Sequence, residues 1–245
     1  MPRRFVDYIT SEKVADLRAM IETDLLFGYS QVWIGSHQIP HNADISKLME
    51  EYPIEIITRL DIDGKVRTKN QIIPILRKQR RNTPVIAIKC YDAELTGWAA
   101  QDNRIDILSF PLNQIGKLFT NSVAKLMIKF EKHLELSLVN LYLSPERMQI
   151  QVIRQIKQAM NIAKKKKVST IVNSGSTSAN QCRSPWELIS LIQTLNSSDD
   201  HNIDSLSKIP YKLVSKNKVK ISSDYIAPGI FKVTENSKQI LEEEE

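Results

Sequence analysis

Short runs rich in Ile, Val and Leu recur along the chain, each bounded by polar or proline-containing stretches. They are FVDYI at 5–9, QVWIG at 31–35, IEIITRLDI at 54–62, PVIAIKC at 84–90, IDILSF at 105–110, LELSLVNLYL at 134–143 and TIVNSG at 170–175. Several are almost continuously apolar, the pattern of parallel strands covered on both faces. Between most of them lie helix-length amphipathic stretches, at 12–27, 68–81, 92–101, 113–130, 145–165 and 184–195. Alternating strand and helix predicts right-handed crossovers in a parallel sheet, and this many repeats in one unit favours closure into a barrel over an open sheet. The expected fold class is α/β, a TIM-barrel-like, irregular βα barrel in one domain spanning residues 1–236. The stretch SSDDHNIDSL at 197–206 reads as a polar connector, and residues 237–245, which close in EEEE, as a disordered acidic tail.

The longest helical candidate, SPERMQIQVIRQIKQAMNIAKKKK, can be tested by placing residues about 100° apart. Met148, Val152, Ile153, Ile156, Ala159, Met160 and Ala163 then share one face, and Arg147, Arg154 and Lys165 line the opposite one. Ile150 breaks the division. Ser144 followed by Pro145 predicts an N-cap with proline at the first helical position.

Composition points to polyanionic partners. Lys and Arg number 34 against 28 Asp and Glu, and four of those acids are the run Glu242 to Glu245, so the remainder is more basic still. Residues 64–81 carry Lys65, Arg67, Lys69, Arg77, Lys78, Arg80 and Arg81 without an acid; residues 207–220 carry Lys208, Lys212, Lys216, Lys218 and Lys220 without one. Separated basic clusters suit extended contacts to phosphates, and the scarcity of aromatics near them favours reading of backbone and shape over stacking on bases. Neither GxGxxG nor GxxxxGK[ST] occurs at a strand-to-helix junction, which disfavours dinucleotides and nucleoside triphosphates. No window approaches 18 uninterrupted apolar residues, so no membrane span is expected. Cys90 and Cys182 are too few for a disulfide framework and read as buried thiols of a reducing cytosol.

Metal chemistry is the competing reading. His37, His41 and Asp44 form an H-x3-H-x2-D cluster, but Pro40 interrupts it, and a catalytic site needs three or more convergent ligands. Asp7, Asp61 and Asp63 sit at or just after strands, where barrel enzymes keep functional groups; without histidines beside them they read as caps, turn formers or ion-pair partners. Ser174, in NSGS, lacks the GxSxG elbow of a nucleophile.

Three segments carry a family resemblance. AAQDNRIDILSFP at 99–111 follows PVIAIKC and a helix; IVNSGSTSANQCRSPWELISLIQTL spans 171–195; IPYKLVSKNKVKISSDYIAPGIFKV spans 209–233. Taken in order they resemble the ribonuclease P protein component 3 family of archaea and eukaryotes. The resemblance implies a barrel related to the polymerase and histidinol phosphatase domain whose metal ligands have been lost: where a metal-dependent relative has an H-x-H pair, the first strand here reads Val6, Asp7, Tyr8, Ile9. It implies a non-catalytic subunit that binds ribonuclease P RNA together with ribonuclease P protein component 2 and other ribonuclease P proteins. The holoenzyme would remove the 5′ leader from precursor tRNA with Mg2+ held by the RNA, and no cofactor bound by this chain. Carried over by position, Arg104 and Arg183 become RNA contacts or structural anchors. Lys89 at a strand end, Lys117 and Lys125 on the next helical stretch, Arg147 and Arg154, and Lys212 and Lys216 are the further RNA-contact candidates. An archaeal source implies the cytoplasm, a eukaryotic one the nucleus. The alternative from the same superfamily is a metal-dependent phosphoesterase.

Overall fold

The computed structural model describes residues 3–36, 42–196, 201–223, 225–227 and 230–231. Strands and helices alternate: β1 (Phe5–Thr10), α1 (Val14–Leu26), β2 (Tyr29–Ser36), α2 (Asn42–Glu51), β3 (Glu55–Asp63), α3 (Lys69–Gln79), β4 (Val85–Lys89), α4 (Ala93–Ala99) and β5 (Ile107–Ser109). The chain continues through α5 (Ile115–Leu118), α6 (Asn121–Lys129), β6 (His133–Ser137), α7 (Val139–Tyr142), α8 (Glu146–Lys166), β7 (Thr170–Asn173) and α9 (Pro185–Asn196). It ends in α10 (His201–Asp204), α11 (Lys208–Ile221) and the small hairpin β8 (Tyr225–Ala227) with β9 (Ile230–Phe231). β1 to β7 pair in sequence order, every pair parallel, as the expected βα barrel requires.

Closure between β7 and β1 is irregular. Near the C-terminal ends of the strands Ile9 bridges Ser176, and the Thr10 N–H donates to the Ser176 carbonyl at 2.9 Å. Lower down, Ser205 and Leu206 wedge into the seam: the Val6 N–H donates to the Leu206 carbonyl at 2.8 Å and the Val172 N–H to that of Ser205 at 3.1 Å. Two residues thus stand where an eighth strand would run, satisfying backbone groups that burial would otherwise leave unpaired. The segment expected as a polar connector is therefore partly structural; residues 197–200 lie outside the described residues, as does the acidic stretch 237–245. The outward-facing Asp7 ties the seam further, its carboxylate accepting from the Ser174 N–H at 2.7 Å and the Ser174 hydroxyl at 2.5 Å.

Two chemically distinct layers fill the barrel. At the N-terminal end Val6, Trp33, Ile57, Val85, Ala87, Ile107 and Ile171 form an apolar layer, covered from below by Ile209, Leu213 and Val214. Helix α11 is thus the barrel's plug. Its signal lay in Pro210 in the first turn with Leu213, Val214 and Asn217 following at helical spacing, all of them buried. Above that layer lies a polar one. Arg59, 3% exposed, makes a bidentate ion pair with Glu135 and a second pair with Asp61 at 2.8 Å. Its guanidinium lies 3.8 Å from the Tyr8 ring centroid; the Tyr8 hydroxyl donates to Asp61 at 2.9 Å, and the Asn173 amide donates to Glu135 at 2.8 Å. Gly35 makes room for this, since a Cβ there would overlap Tyr8 and the Asp61 carboxylate.

Local departures from the sequence expectations have physical reasons. The stretch 113–130 breaks into α5 and α6 because Phe119 leaves the helical backbone to bury its ring near Phe110, and the Thr120 hydroxyl then caps α6 by accepting from the Val123 N–H at 3.4 Å. The apolar run 134–143 is a strand only to Ser137; Leu138, Val139 and Leu141 are buried from a short helix, a distinction that an unbroken apolar run does not encode. Helix α8 starts one residue later than expected, with Pro145 at the cap position, and the Ser144 hydroxyl donates back to the Asn140 carbonyl. Its buried face is otherwise the expected one, and Ile150 is 62% exposed.

Arg59→Met strands the Glu135 and Asp61 carboxylates inside the barrel, and urea denaturation should show a loss of about 3–5 kcal/mol; a loss below about 1 kcal/mol would mean water reaches the network. A second test concerns Asp24, fully buried on α1 with its carboxyl against the Cys182 thiol. Burial, then the nearby Asp7, pushes Asp24 up to about 9, and burial pushes Asp7 up to about 6. A raised carboxyl pKa stabilises the fold at low pH and withdraws that stability as pH climbs towards the folded-state value. The melting temperature should fall from the ordinary carboxylate range up to about pH 9, with the Asp7 share complete near pH 6, and Asp24→Asn should flatten the fall above pH 6; superimposable pH profiles would show that Asp24 is not the group responsible.

Candidate nucleic-acid interface

Barrels of this kind normally keep functional groups at the C-terminal ends of the strands. Here that mouth opens into a cavity of about 250 Å3 lined by Tyr8, Asp61, Asp63, Lys89, Ser109 and Ser137 among others. Its charges are largely spoken for. Arg59 is held by Glu135 and Asp61; the Asp63 carboxylate accepts from the Lys65 N–H at 2.8 Å; and the Lys89 ammonium lies 5.8 Å from the Tyr91 ring centroid. Burial raises the Asp61 pKa, against the opposing pull of Arg59. Among the described residues no group of three or more His, Cys, Asp or Glu side chains is placed to hold a metal ion. His37 and His41 lie outside the described residues, and Asp44 sits in the first turn of α2. Ser174, 1% exposed, is committed to Asp7 and to the Ser176 hydroxyl at 2.8 Å, and both cysteines are buried free thiols.

The opposite face has another character. In a parallel βα barrel every helix ends beside the N-terminal ends of the strands, where its negative dipole end favours cations. This chain loads those ends heavily: Arg77 and Lys78 in the last turn of α3, Lys129 in that of α6, Lys164, Lys165 and Lys166 in that of α8, and Lys218 and Lys220 in that of α11. Plug helix α11 lies across this face, joined to the strand ends by Lys218 to Glu55 at 2.5 Å and by the Asn217 amide, which donates to the Pro84 carbonyl at 2.8 Å and to Asp106 at 3.0 Å.

Beside α11 runs a cleft of about 450 Å3, lined by Lys132, His133, Lys167, Lys212, Lys216 and Lys220 together with Asp106 and Glu131. Both acids are paired, Asp106 with Arg80 and Glu131 with Lys216, each at 2.5 Å. Burial dominates the titrating groups of the cleft, with the neighbouring charges acting in both directions. Burial depresses Lys132 to about 8 against the pull of Asp106 and Asp102, and Arg80 and Lys220 add to the depression. Burial also holds His133 down to about 4; Asp106 opposes this, while Lys216 and Lys132 reinforce it. Lys220 is lowered too, by burial and then by Lys216 and Arg80. Such a concavity attracts anions, and association with it should weaken with salt.

The sequence-derived residues divide among these regions. Lys212 and Lys216 line the cleft, and Lys125 is exposed on α6, whose C-terminal end leads to the cleft residues Glu131 and Lys132. Arg104 belongs to the loop before β5 and is locked to Asp102 at 2.8 and 2.5 Å, with its backbone carbonyl accepting from Arg80 at 3.2 Å. Lys89 is at the other mouth; Lys117 is exposed on α5, and Arg147 and Arg154 are exposed on the first half of α8. Arg183 ties down its own turn, donating to the Asn180 carbonyl at 3.0 Å and the Cys182 carbonyl at 2.8 Å, with its guanidinium 5.0 Å from the Tyr142 ring centroid. Sequence reasoning missed Lys132 and Lys167 as site residues. Their signal was a lysine one or three positions past a helix end, and seeing them converge required knowing that α11 crosses the same face.

Comparison with known proteins accords with this architecture. Residues 4–222 match the family model described as RNase P subunit p30. Ribonuclease P protein component 3 of Methanosarcina acetivorans is 22% identical over 206 residues, covering 83% of this chain and 84% of that protein; the protein of the same name from Methanococcoides burtonii is 22% identical over 170 residues, covering 69% of each. Among solved structures, a chain of archaeal ribonuclease P with mature tRNA superposes with a TM-score of 0.80 at 16% identity, covering 94% of this chain and 98% of that one. A prolidase complexed with N-methylphosphonate-L-proline superposes with a TM-score of 0.58 at 11% identity over 94% of this chain and 78% of its own, showing the same barrel fold. The breadth of the family match, from the first strand to the end of the plug helix, places this chain in the ribonuclease P protein subunit family, RNase P subunit p30.

Proposed function

We propose that this ribonuclease P subunit supports the catalytic RNA by presenting the N-terminal face of its barrel to the phosphate backbone. The observation that carries the reading is the convergence of the ends of α3, α6 and α8 with the plug helix on one cationic face, around a cleft whose two acids are already paired. Lys212 and Lys216 are the sequence-derived candidates that belong with this face, Arg104 borders it through Arg80, and Lys89, Lys117, Lys125, Arg147, Arg154 and Arg183 would serve secondary or structural contacts. Ribonuclease P protein component 2 is the proposed protein partner, with the other ribonuclease P proteins and precursor tRNA in the holoenzyme. Chemistry at the 5′ leader is assigned to RNA-held Mg2+, with no cofactor bound by this chain and no catalytic residue supplied by it. The archaeal relatives support a cytoplasmic setting. A metal-dependent phosphoesterase would need ligands at the barrel mouth, where Arg59 already sits between Glu135 and Asp61.

The deciding assay is precursor tRNA cleavage by the cognate RNA with component 2, with and without this chain, at moderate Mg2+. The chain should raise cleavage and be inert without the RNA; cleavage by the chain alone would transfer the activity to the barrel. Charge reversal maps the face. Lys212→Glu with Lys216→Glu should weaken RNA binding more than Arg147→Glu with Arg154→Glu, and should reduce the slope of log affinity against log salt by about 2, one unit for each phosphate no longer neutralised. Equal effects from the two pairs would argue against a single RNA-facing surface.

A further inference from the structure

We infer that the cleft beside α11 is a discrete phosphate pocket, set apart from the diffuse charge around it, and that it seats one phosphate group. On the RNA-binding reading above, on which this inference rests for its ligand's source, that group is a backbone phosphodiester of the bound RNA.

Unpaired donors carry the argument. Lys167, Lys212 and Lys220 rim the cleft, and none makes an ion pair among the described residues. Lys216 is paired, but its partner Glu131 has a side chain 75% exposed, so the pair is weakly held and the ammonium can turn to a better anion. Lys132, 5% exposed, forms the floor. Two of its three N–H donors go to the Asp102 and Ile105 carbonyls, each at 2.7 Å, which fixes the ammonium and leaves a third donor. His133 lines the same wall, and its Nδ1 is buried without a hydrogen-bond partner. A buried cation and an orphaned ring nitrogen are costly unless something completes them. A phosphate, with several acceptor oxygens and a negative charge, fits this donor set.

The backbone supplies an independent observation. Among the described residues, only Glu131 (φ 52°) and Lys167 (φ 59°) hold a left-handed conformation without being glycine. Both line this cleft, one following α6 and the other capping α8. Each position is one where glycine is cheaper. Strain kept at Lys167, whose ammonium rims the concavity, suits a site that needs that side chain, and the turn held by Glu131 leads directly into Lys132 at its floor.

The test uses the full chain and inorganic phosphate at constant ionic strength, read by NMR from the His133 ring. Phosphate should shift the ring resonances saturably at millimolar concentration. Lys212→Ala with Lys220→Ala, both exposed and remote from the core, should weaken that binding roughly tenfold for each ammonium lost, the size of one charge-assisted hydrogen bond. Lys47→Ala on α2 should leave it unchanged. A second arm compares phosphorothioate interference along ribonuclease P RNA for the parent and the Lys212→Ala/Lys220→Ala chain. Loss of interference at one phosphate, with the rest retained, identifies the RNA backbone as the source. Phosphate binding with an unchanged interference pattern keeps the pocket but assigns it to a free phosphate. If the chain binds no RNA at all while phosphate still shifts His133, the pocket survives and the RNA-binding reading falls. No saturable shift, or one that Lys47→Ala reduces as much as the cleft variants do, overturns the pocket.

Discussion

A guanidinium shut inside a barrel must be ringed by oxygens, and the residues around Arg59 meet that demand with little to spare. Glu135 takes two of its N–H groups, Asp61 is paired at 2.8 Å, the Tyr8 ring lies against its face, and Asn173 holds Glu135 from the far side. Four strands contribute to this knot, so it fixes their mutual register as well as the charge balance. It also decides what the mouth above can do. A positive centre already saturated by carboxylates has little attraction left for an anionic substrate, and it occupies the region where three or more ligands would have to converge on a metal. The barrel therefore combines an enzyme-like architecture with a structural ion-pair network just below its mouth.

With that end closed, binding chemistry can develop on the opposite one. The helices must terminate there, and their dipoles tolerate cations that would be unfavourable at the other face. α11 converts this tolerance into a surface. Ile209, Leu213 and Val214 are committed to the barrel's apolar layer and Asn217 to Pro84 and Asp106, while Lys212, Lys216 and Lys220 recur on the side turned to the cleft. Anchoring and charge therefore occupy separate positions of one helix, so charges can be exchanged without unsealing the barrel.

Much of this was legible in the sequence because strand and helix differ in the period of their apolar positions. The seven inner strands, the buried stripe of α8 and the Ile150 exception follow from that period alone, and the segment at 99–111 pointed to the family. Local competition obscured the rest. Leu138 to Leu141 continue an apolar run without continuing its strand, and Phe119 interrupts a helix in order to reach Phe110. Asp61 was read as a cap, turn former or ion-pair partner, but its partner two residues earlier could not be recognised, because a lone arginine inside the strand IEIITRLDI gives no sign that the barrel will close around it.

The RNA-contact candidates show the same limit from another side. A lysine's position along the chain says that it is charged; whether its neighbours cancel that charge depends on residues far away. Arg104 and Arg183 stand in the most recognisable motifs, yet both guanidiniums are engaged, one by Asp102 and the other by carbonyls of its own turn. Lys167 closes a plain lysine run and Lys220 is one of several lysines in a basic cluster, yet the fold leaves both without an ion pair among the described residues, beside a buried ammonium. Motif strength therefore locates what holds the barrel together more surely than what it binds. In this chain the surface chemistry follows from topology: parallel strands send the helix ends to one face, and a plug helix gathers their charges around a single cleft.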